Sequence, residues 1–204
     1  MTTKKKIIIS VTAAVLVIAV AIVGVLAAQN TQVGVTNTVS FTATSVNARV
    51  EVYVTHGSTP VTISAGSTSG FDNNGVATYT FNEDSTTKVL NMTDVELTAE
   101  NPTVTYEIYI FNTGSKAFNV TAGGLNNAGT NLTITSTVAT GAAANKAAAG
   151  LLSSGTLATS SDTTIASALA RDNAVKVTIT VSITDDTNNA GAEFDWSFVM
   201  NAVS

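Results

Sequence analysis

The chain has no cysteine and only one histidine, and these two scarcities exclude much chemistry. Without thiols it can form no disulfide, no thiolate nucleophile and no cysteine-based zinc site. His56 lies in a loop rich in glycine and serine, and no GxSxG motif supplies a serine that it could activate. The HExxH, GxGxxG and phosphate-loop motifs are also missing. We therefore predict that the chain is not an enzyme and needs no cofactor.

Charge is also scarce, since charged residues make up 11% of the sequence and 14 acidic residues face 9 basic ones. Lys4, Lys5 and Lys6 supply three of the basic residues, which leaves the rest of the chain with a net charge near −8. Nucleic acids and anionic lipid headgroups bind basic surfaces. We therefore expect no nucleic-acid partner, and membrane contact only through residues 7–28.

The apolar run from Ile7 to Ala28 follows these lysines directly. A basic start, an apolar stretch and small residues at its end are typical of a secretory signal peptide, and here Ala27 and Ala28 mark the cleavage region. At 22 residues the run is also long enough to span a bilayer and remain as an N-terminal anchor. Both alternatives predict an extracellular or cell-surface location for residues 29–204, which we interpret as one domain.

Apolar and polar residues alternate along residues 29–204, as in half-buried strands. The first such stretch covers residues 29–44, with Val33, Val35, Val39 and Phe41 on one face. The stretches 175–183 and 194–200 are the clearest, and we expect them to pair as a hairpin. About eight or nine strands separated by turns predict an all-β fold, a jelly-roll or immunoglobulin-like β-sandwich.

A segment rich in alanine and serine interrupts this pattern at residues 141–173. Alanine favours helices, so we expect a partly helical insert, with short helices near residues 142–152 and 163–170. Asp162 or Thr163 would cap the second helix.

Two acidic clusters contain the oxygen ligands that calcium prefers. One includes Asp72, and the other includes Asp185, Asp186 and Glu193. Neither has the spacing of an EF-hand, and Asp and Asn residues also stabilise tight turns. We favour the turn interpretation for both clusters.

The chain carries three Asn-x-Ser/Thr sequons, at Asn91, Asn119 and Asn131. They would be used only where the host glycosylates its exported proteins.

Three stretches occur in a characteristic order after the apolar segment. They are a strand over residues 35–43, the sequence Phe111-Asn112-Thr113-Gly114-Ser115-Lys116-Ala117 at the end of a middle strand, and Phe194-Asp195-Trp196-Ser197-Phe198 near the end. In this order the chain resembles the TasA/camelysin family of secreted bacterial proteins.

The resemblance implies a jelly-roll subunit that assembles into extracellular fibres or biofilm matrix. It further implies that residues from about 29 to 38 are donated to the sheet of the next subunit, as part of a possible donor strand at residues 29–44. The predicted assembly residues of this strand are Val33, Val35, Val39 and Phe41. Donation would satisfy unpaired backbone groups at a sheet edge, and a head-to-tail arrangement does not close. We therefore expect a homopolymer, with other matrix or cell-surface proteins as further candidate partners.

Two other functions stay open on the sequence. A monomeric cell-surface binding or adhesion module could use Tyr53, Tyr79 and Tyr109 to stack on a sugar. A metal-dependent secreted hydrolase would need a metal at one of the acidic clusters.

Overall fold

The computed structural model describes residues 32–56, 59–60, 75–83, 85–126, 132–157, 162–184 and 192–203. The predicted export segment and its cleavage region at Ala27 and Ala28 lie outside these ranges. No helix within them is long and apolar enough to cross a membrane.

Twelve strands and one short 3₁₀ turn make up the regular structure of the described residues, so the sequence underestimated the strand count. The strands are β1 (Gln32–Thr44), β2 (Asn47–His56), β3 (Thr59–Pro60), β4 (Val76–Asn82), β5 (Thr86–Thr98), β6 (Thr103–Asn112), β7 (Phe118–Asn126), β8 (Leu132–Ala142), β9 (Leu152–Gly155), β10 (Thr163–Leu169), β11 (Asn173–Ile183) and β12 (Ala192–Ala202).

The strands form two sheets, which confirms the predicted β-sandwich. The first sheet has the order β10-β7-β12-β1-β5. The second has the order β3-β2-β6-β11-β8-β9, with β4 also paired to β2. β1 and β12 run parallel, whereas the other strand pairs among the described residues run antiparallel.

The core lies between the two sheets, and the alternation of the sequence predicts which side chains enter it. Inward residues of β2, β6 and β11 are buried from the second sheet, and those of β1, β5 and β12 from the first. Burying a large apolar side chain contributes about 1.5–3 kcal/mol. Since the chain has no disulfide, this packing carries most of the stability.

The last two strands do not form the predicted hairpin. β11 lies between β6 and β8 in the second sheet, whereas β12 lies between β1 and β7 in the first. Both strands keep the predicted inward faces, and Val177 and Trp196 are buried in the same core. The alternation therefore identified the buried faces correctly, but it could not specify which strands pair.

The predicted helix over residues 163–170 is wrong, because Thr163–Leu169 forms strand β10 at the edge of the first sheet. Pairing with β7 overrides the helix preference of its alanines, and Ala166 and Leu169 reach the core. Within the first predicted helix, only Lys146–Ala148 is helical, as a single 3₁₀ turn. Residues 141–173 thus contribute strands to both sheets.

Residues 143–151 cover part of the outer face of the second sheet. This segment packs on Tyr109 and Phe111 of β6, which are 4% and 1% exposed although they point away from the main core. Half of β6 is therefore buried on both faces, which simple alternation does not predict.

Asn112 holds the turn between β6 and β7. Its amide group donates to the backbone oxygens of Lys116 and Leu169, at 2.8 and 2.7 Å. Its side-chain oxygen accepts from the Gly114 backbone N–H at 2.8 Å. A Cβ on Gly114 would lie 2.8 Å from Cβ of Asn47, so a side chain there would displace β2.

We expect Asn112→Ala to lower the free energy of unfolding by roughly 3 kcal/mol, because three backbone groups lose their partner in a buried turn. Gly114→Ala should lower it by about 1–3 kcal/mol through the close approach to Asn47. Urea unfolding followed by tryptophan fluorescence measures both changes. Thr113→Ala, at an exposed position between them, is the control and should change the free energy by less than about 0.5 kcal/mol. Equal effects at all three positions would contradict the role given to Asn112.

Candidate assembly site

β1 occupies the gap between β5 and β12, which we call the strand slot. Its residues 35–44 pair in register with residues 192–201 of β12. On its other edge β1 pairs antiparallel with β5, from Gln32 opposite Thr98 to Ala43 opposite Thr86. Both backbone edges of this first strand are therefore hydrogen-bonded within the chain.

The residues predicted for the assembly strand lie on the inner face of β1. Val33 is 1% exposed, and Val35, Val39 and Phe41 are fully buried. The Phe41 ring stacks on Phe198 of β12, with the centroids 5.6 Å apart. β1 is thus a central part of the core as well as of the sheet.

Side chains on the outer face of β1 add polar contacts with both neighbouring strands. The hydroxyls of Thr42 and Thr87 lie 2.9 Å apart across the β1–β5 pair. Ser40 Oγ donates to the backbone oxygen of Trp196 at 3.4 Å across the β1–β12 pair. The slot is therefore matched to β1 on its apolar face and on its polar face.

Asn37 is the one polar residue among the inward side chains of β1 from Val33 to Ala43, and it is 1% exposed. The Tyr106 hydroxyl, on β6 of the opposite sheet, donates to Asn37 Oδ1 at 3.2 Å. Asn37 was not among the predicted site residues, although a polar residue on the apolar face between Val35 and Val39 is visible in the sequence. Its partner Tyr106 could be identified only from the packing of the two sheets.

The connection from β1 to β2 is only two residues long, Ser45 and Val46. Ser45 has a φ of +56°, a left-handed conformation that is costly for residues with a Cβ. The short link carries β1 from one sheet to β2 in the other.

Most of the calcium candidates cannot be located, since Asp72, Asp185 and Asp186 lie outside the described residues. Glu193 is exposed on β12, at a groove of about 530 Å³ that Asp162 and Asp195 also line. No group of three or more acidic or histidine side chains in the described part of the chain could hold a metal ion.

The three tyrosines proposed for sugar stacking are engaged inside the chain. Tyr79 packs against the core, with its ring 5.8 Å from that of Phe41. Tyr109 is 4% exposed. Lys146 Nζ lies 3.7 Å from the centre of the Tyr53 ring, whose pKa is raised to about 12 by burial and by its hydrogen bond to Glu51. Tyr109 is therefore buried, whereas Tyr53 and Tyr79 are part-exposed and packed against neighbouring side chains.

Glu107 joins Lys146 of the covering segment 143–151 to Lys176 of β11. Lys146 Nζ donates to Glu107 at 2.7 Å, and Lys176 donates to the other carboxylate oxygen. Burial alone would raise the pKa of Glu107, but these two hydrogen bonds outweigh it and lower the pKa below its ordinary value of 4.5. A carboxyl with a lowered folded-state pKa stabilises the fold above its unfolded-state pKa and loses that contribution as the pH falls.

We expect Glu107→Gln to lower the free energy of unfolding at pH 7 by about 0.5–1 kcal/mol, since the ion pairs are partly exposed to solvent. The difference from the unmodified chain should shrink as the pH falls below 4.5, because Glu107 then protonates in both states. Denaturant titrations at several pH values measure this, with Glu96→Gln at an exposed site as the control. A difference that stays constant down to pH 3 would contradict the assignment.

Comparison with known proteins finds no matching family model and no curated relative. Solved structures with some likeness include the protein IP-1A from Alcaligenes faecalis, at 11% identity and a TM-score of 0.26, covering 80% of this chain and 89% of that one. The major pilin of Streptococcus pyogenes is 8% identical with a TM-score of 0.18, over 83% and 98% of the two chains. The major pilin SpaD of Corynebacterium diphtheriae is 8% identical with a TM-score of 0.21, over 80% and 66%. Likenesses at these TM-scores carry no conclusion about this chain.

Proposed function

We propose that the chain is an exported structural subunit that assembles into extracellular fibres by exchanging β1 between copies. The observation that carries this proposal is the position of β1. It is the first described strand of the chain, it lies inside a sheet between β12 and β5, and a two-residue link joins it to the rest of the fold.

Exchange costs little contact energy because all copies have the same sequence. A β1 strand from a neighbouring copy would find the same partners in β5 and β12 and would bury the same valines and Phe41. The difference in free energy between the closed monomer and an exchanged assembly then depends on the link and on concentration. When each copy passes its strand to the next without closing a ring, a filament results.

The link favours opening. The left-handed conformation of Ser45 costs conformational free energy, and the chain needs it only while it turns tightly from β1 into β2. If β1 extends away from its own domain, Ser45 can adopt an ordinary extended conformation. Short, strained hinge loops are known to promote exchange of the element they connect.

The sequence before β1 supports the same proposal. The predicted cleavage region at Ala27 and Ala28 lies only a few residues before Gln32, so export and cleavage would free the N-terminal end of β1. If the apolar segment is retained, the same strand would be tethered to the membrane, and such a copy would form the base of a fibre. In both cases the chain would form a homopolymer, located at the cell surface or outside the cell.

The absence of cysteine allows a direct test of exchange by disulfide trapping. Residues 42 and 87 are directly opposite in the β1–β5 pair, at a separation that suits a disulfide. Chains of residues 29–204 carrying Thr42→Cys alone and Thr87→Cys alone are unfolded, mixed, refolded at high concentration and oxidised. We expect covalent dimers with a 42–87 disulfide, identified by mass spectrometry, together with filaments in electron micrographs.

A mixture of Thr42→Cys with Thr137→Cys is the matched control, because Thr137 is exposed on β8 of the other sheet and reports random collision. Deleting residues 29–38 should abolish the filaments. Filaments without a 42–87 disulfide would show assembly through a different interface. Chains that stay monomeric under varied pH and salt would refute the proposed function.

A further inference from the structure

A polar contact is buried where β1 faces the opposite sheet. Asn37 accepts a hydrogen bond from Tyr106, whose side chain is fully buried. Burial raises the pKa of the Tyr106 hydroxyl, so this group remains a donor throughout the neutral range. The Tyr106 ring also packs edge-on against Trp196 of β12, with the centroids 5.0 Å apart. The hydrogen bond between Asn37 and Tyr106 therefore lies between the two sheets, beside the packed rings of Tyr106 and Trp196.

The hydrogen bond between Tyr106 and Asn37 stabilises the fold, but burying the rest of the Asn37 amide group costs stability. Among the described residues, Asn37 Nδ2 and Trp196 Nε1 are buried donors that find no acceptor. An apolar residue of similar size at position 37 would avoid one of these unpaired groups. A buried polar residue that costs stability can still be useful when it selects one arrangement over others. The best-attested case is the choice of register between packed elements.

We propose that Asn37 fixes the register in which β1 docks in the strand slot, through its hydrogen bond with Tyr106. The fixing of register is a property of the single chain, and its use between copies rests on the proposed function.

The alternation of apolar and polar residues in β1 excludes some register errors but allows a slip of two residues. A slip of one residue would turn every apolar side chain to the outer face, which burial forbids. A slip of two residues keeps the faces and places Val35 or Val39 opposite Tyr106. Asn37 and the Tyr106 hydroxyl would then both be buried without the partner they have in the native register.

The neighbourhood of Asn37 adds to this selection. It is the first paired residue after an irregularity in the β1–β5 register, and it lies opposite Met92 on β5 and Phe194 on β12. A slipped strand would lose the hydrogen bond and misalign with the irregularity. In an exchanged assembly, the strand slot of each copy faces the Tyr106 of that copy, so every incoming strand meets the same hydrogen-bond donor.

The register can be measured in a single chain by pairs of engineered cysteines. Thr42→Cys with Thr87→Cys reports the native register, because these residues are directly opposite. Ser40→Cys with Thr87→Cys, and Thr42→Cys with Val89→Cys, report slips of two residues in the two directions. Each pair is introduced into residues 29–204 with the native Asn37, and also together with Asn37→Val plus Tyr106→Phe. The double replacement removes both polar partners and leaves no new unpaired hydroxyl.

The chains are refolded at low concentration. With native Asn37 and Tyr106, we expect the native cysteine pair to form disulfides and the slipped pairs to give only a background yield. With Asn37→Val plus Tyr106→Phe, the yield from at least one slipped pair should rise about fivefold or more. Tyr106→Phe alone changes a single atom and should raise it to a smaller extent, which provides the test if the double replacement fails to fold.

Phe41→Val is the comparison for packing, since Phe41 resists the same slips by its size. Slipped yields that stay at background in both Tyr106 variants would overturn the proposal, and a rise with Phe41→Val alone would assign the register to packing. Because the disulfides form within one chain, these outcomes do not depend on whether filaments form.

Discussion

The pairing of the first strand with the last one is the constraint on which the rest of the structure depends. β1 lies parallel to β12 and antiparallel to β5, so it joins two parts of a sheet that have no other direct contact in the strand order. Without β1, strand β5 would lose its neighbour in the sheet, and β12 would present a bare edge. An exposed edge next to an uncovered apolar face binds any strand that matches it.

Two costs of this arrangement lie in β1 and its link. Asn37 leaves an unpaired donor in the core, and Ser45 holds a left-handed backbone conformation at the exit of the strand. Elsewhere, the buried polar residue Asn112 is fully engaged with three backbone groups. In the exchange proposed above, only the cost at Ser45 would be relieved, because Asn37 would meet the same surroundings in the slot of another copy.

The second sheet has a different role. Part of its outer face is covered by residues 143–151, which the ion pairs of Glu107 and the contact of Lys146 with Tyr53 hold in place. The aromatic side chains on that face therefore help to stabilise the fold. On its inner face, this sheet packs against β1 and its neighbours.

The sequence by itself determined the class of fold, the absence of thiol chemistry and the inward faces of β1, β2, β6, β11 and β12. These are local properties, because alternation with a period of two is visible within a few residues. Only the tertiary structure decided that β1 lies between β5 and β12, that β11 and β12 belong to different sheets, and that residues 163–169 form a strand. Ser40 and Trp196 are 156 positions apart in the chain and touch in the sheet, and period-two alternation cannot encode a contact at that distance. The bond between Asn37 and Tyr106 is decided in the same way, since it exists only when the two sheets pack face to face.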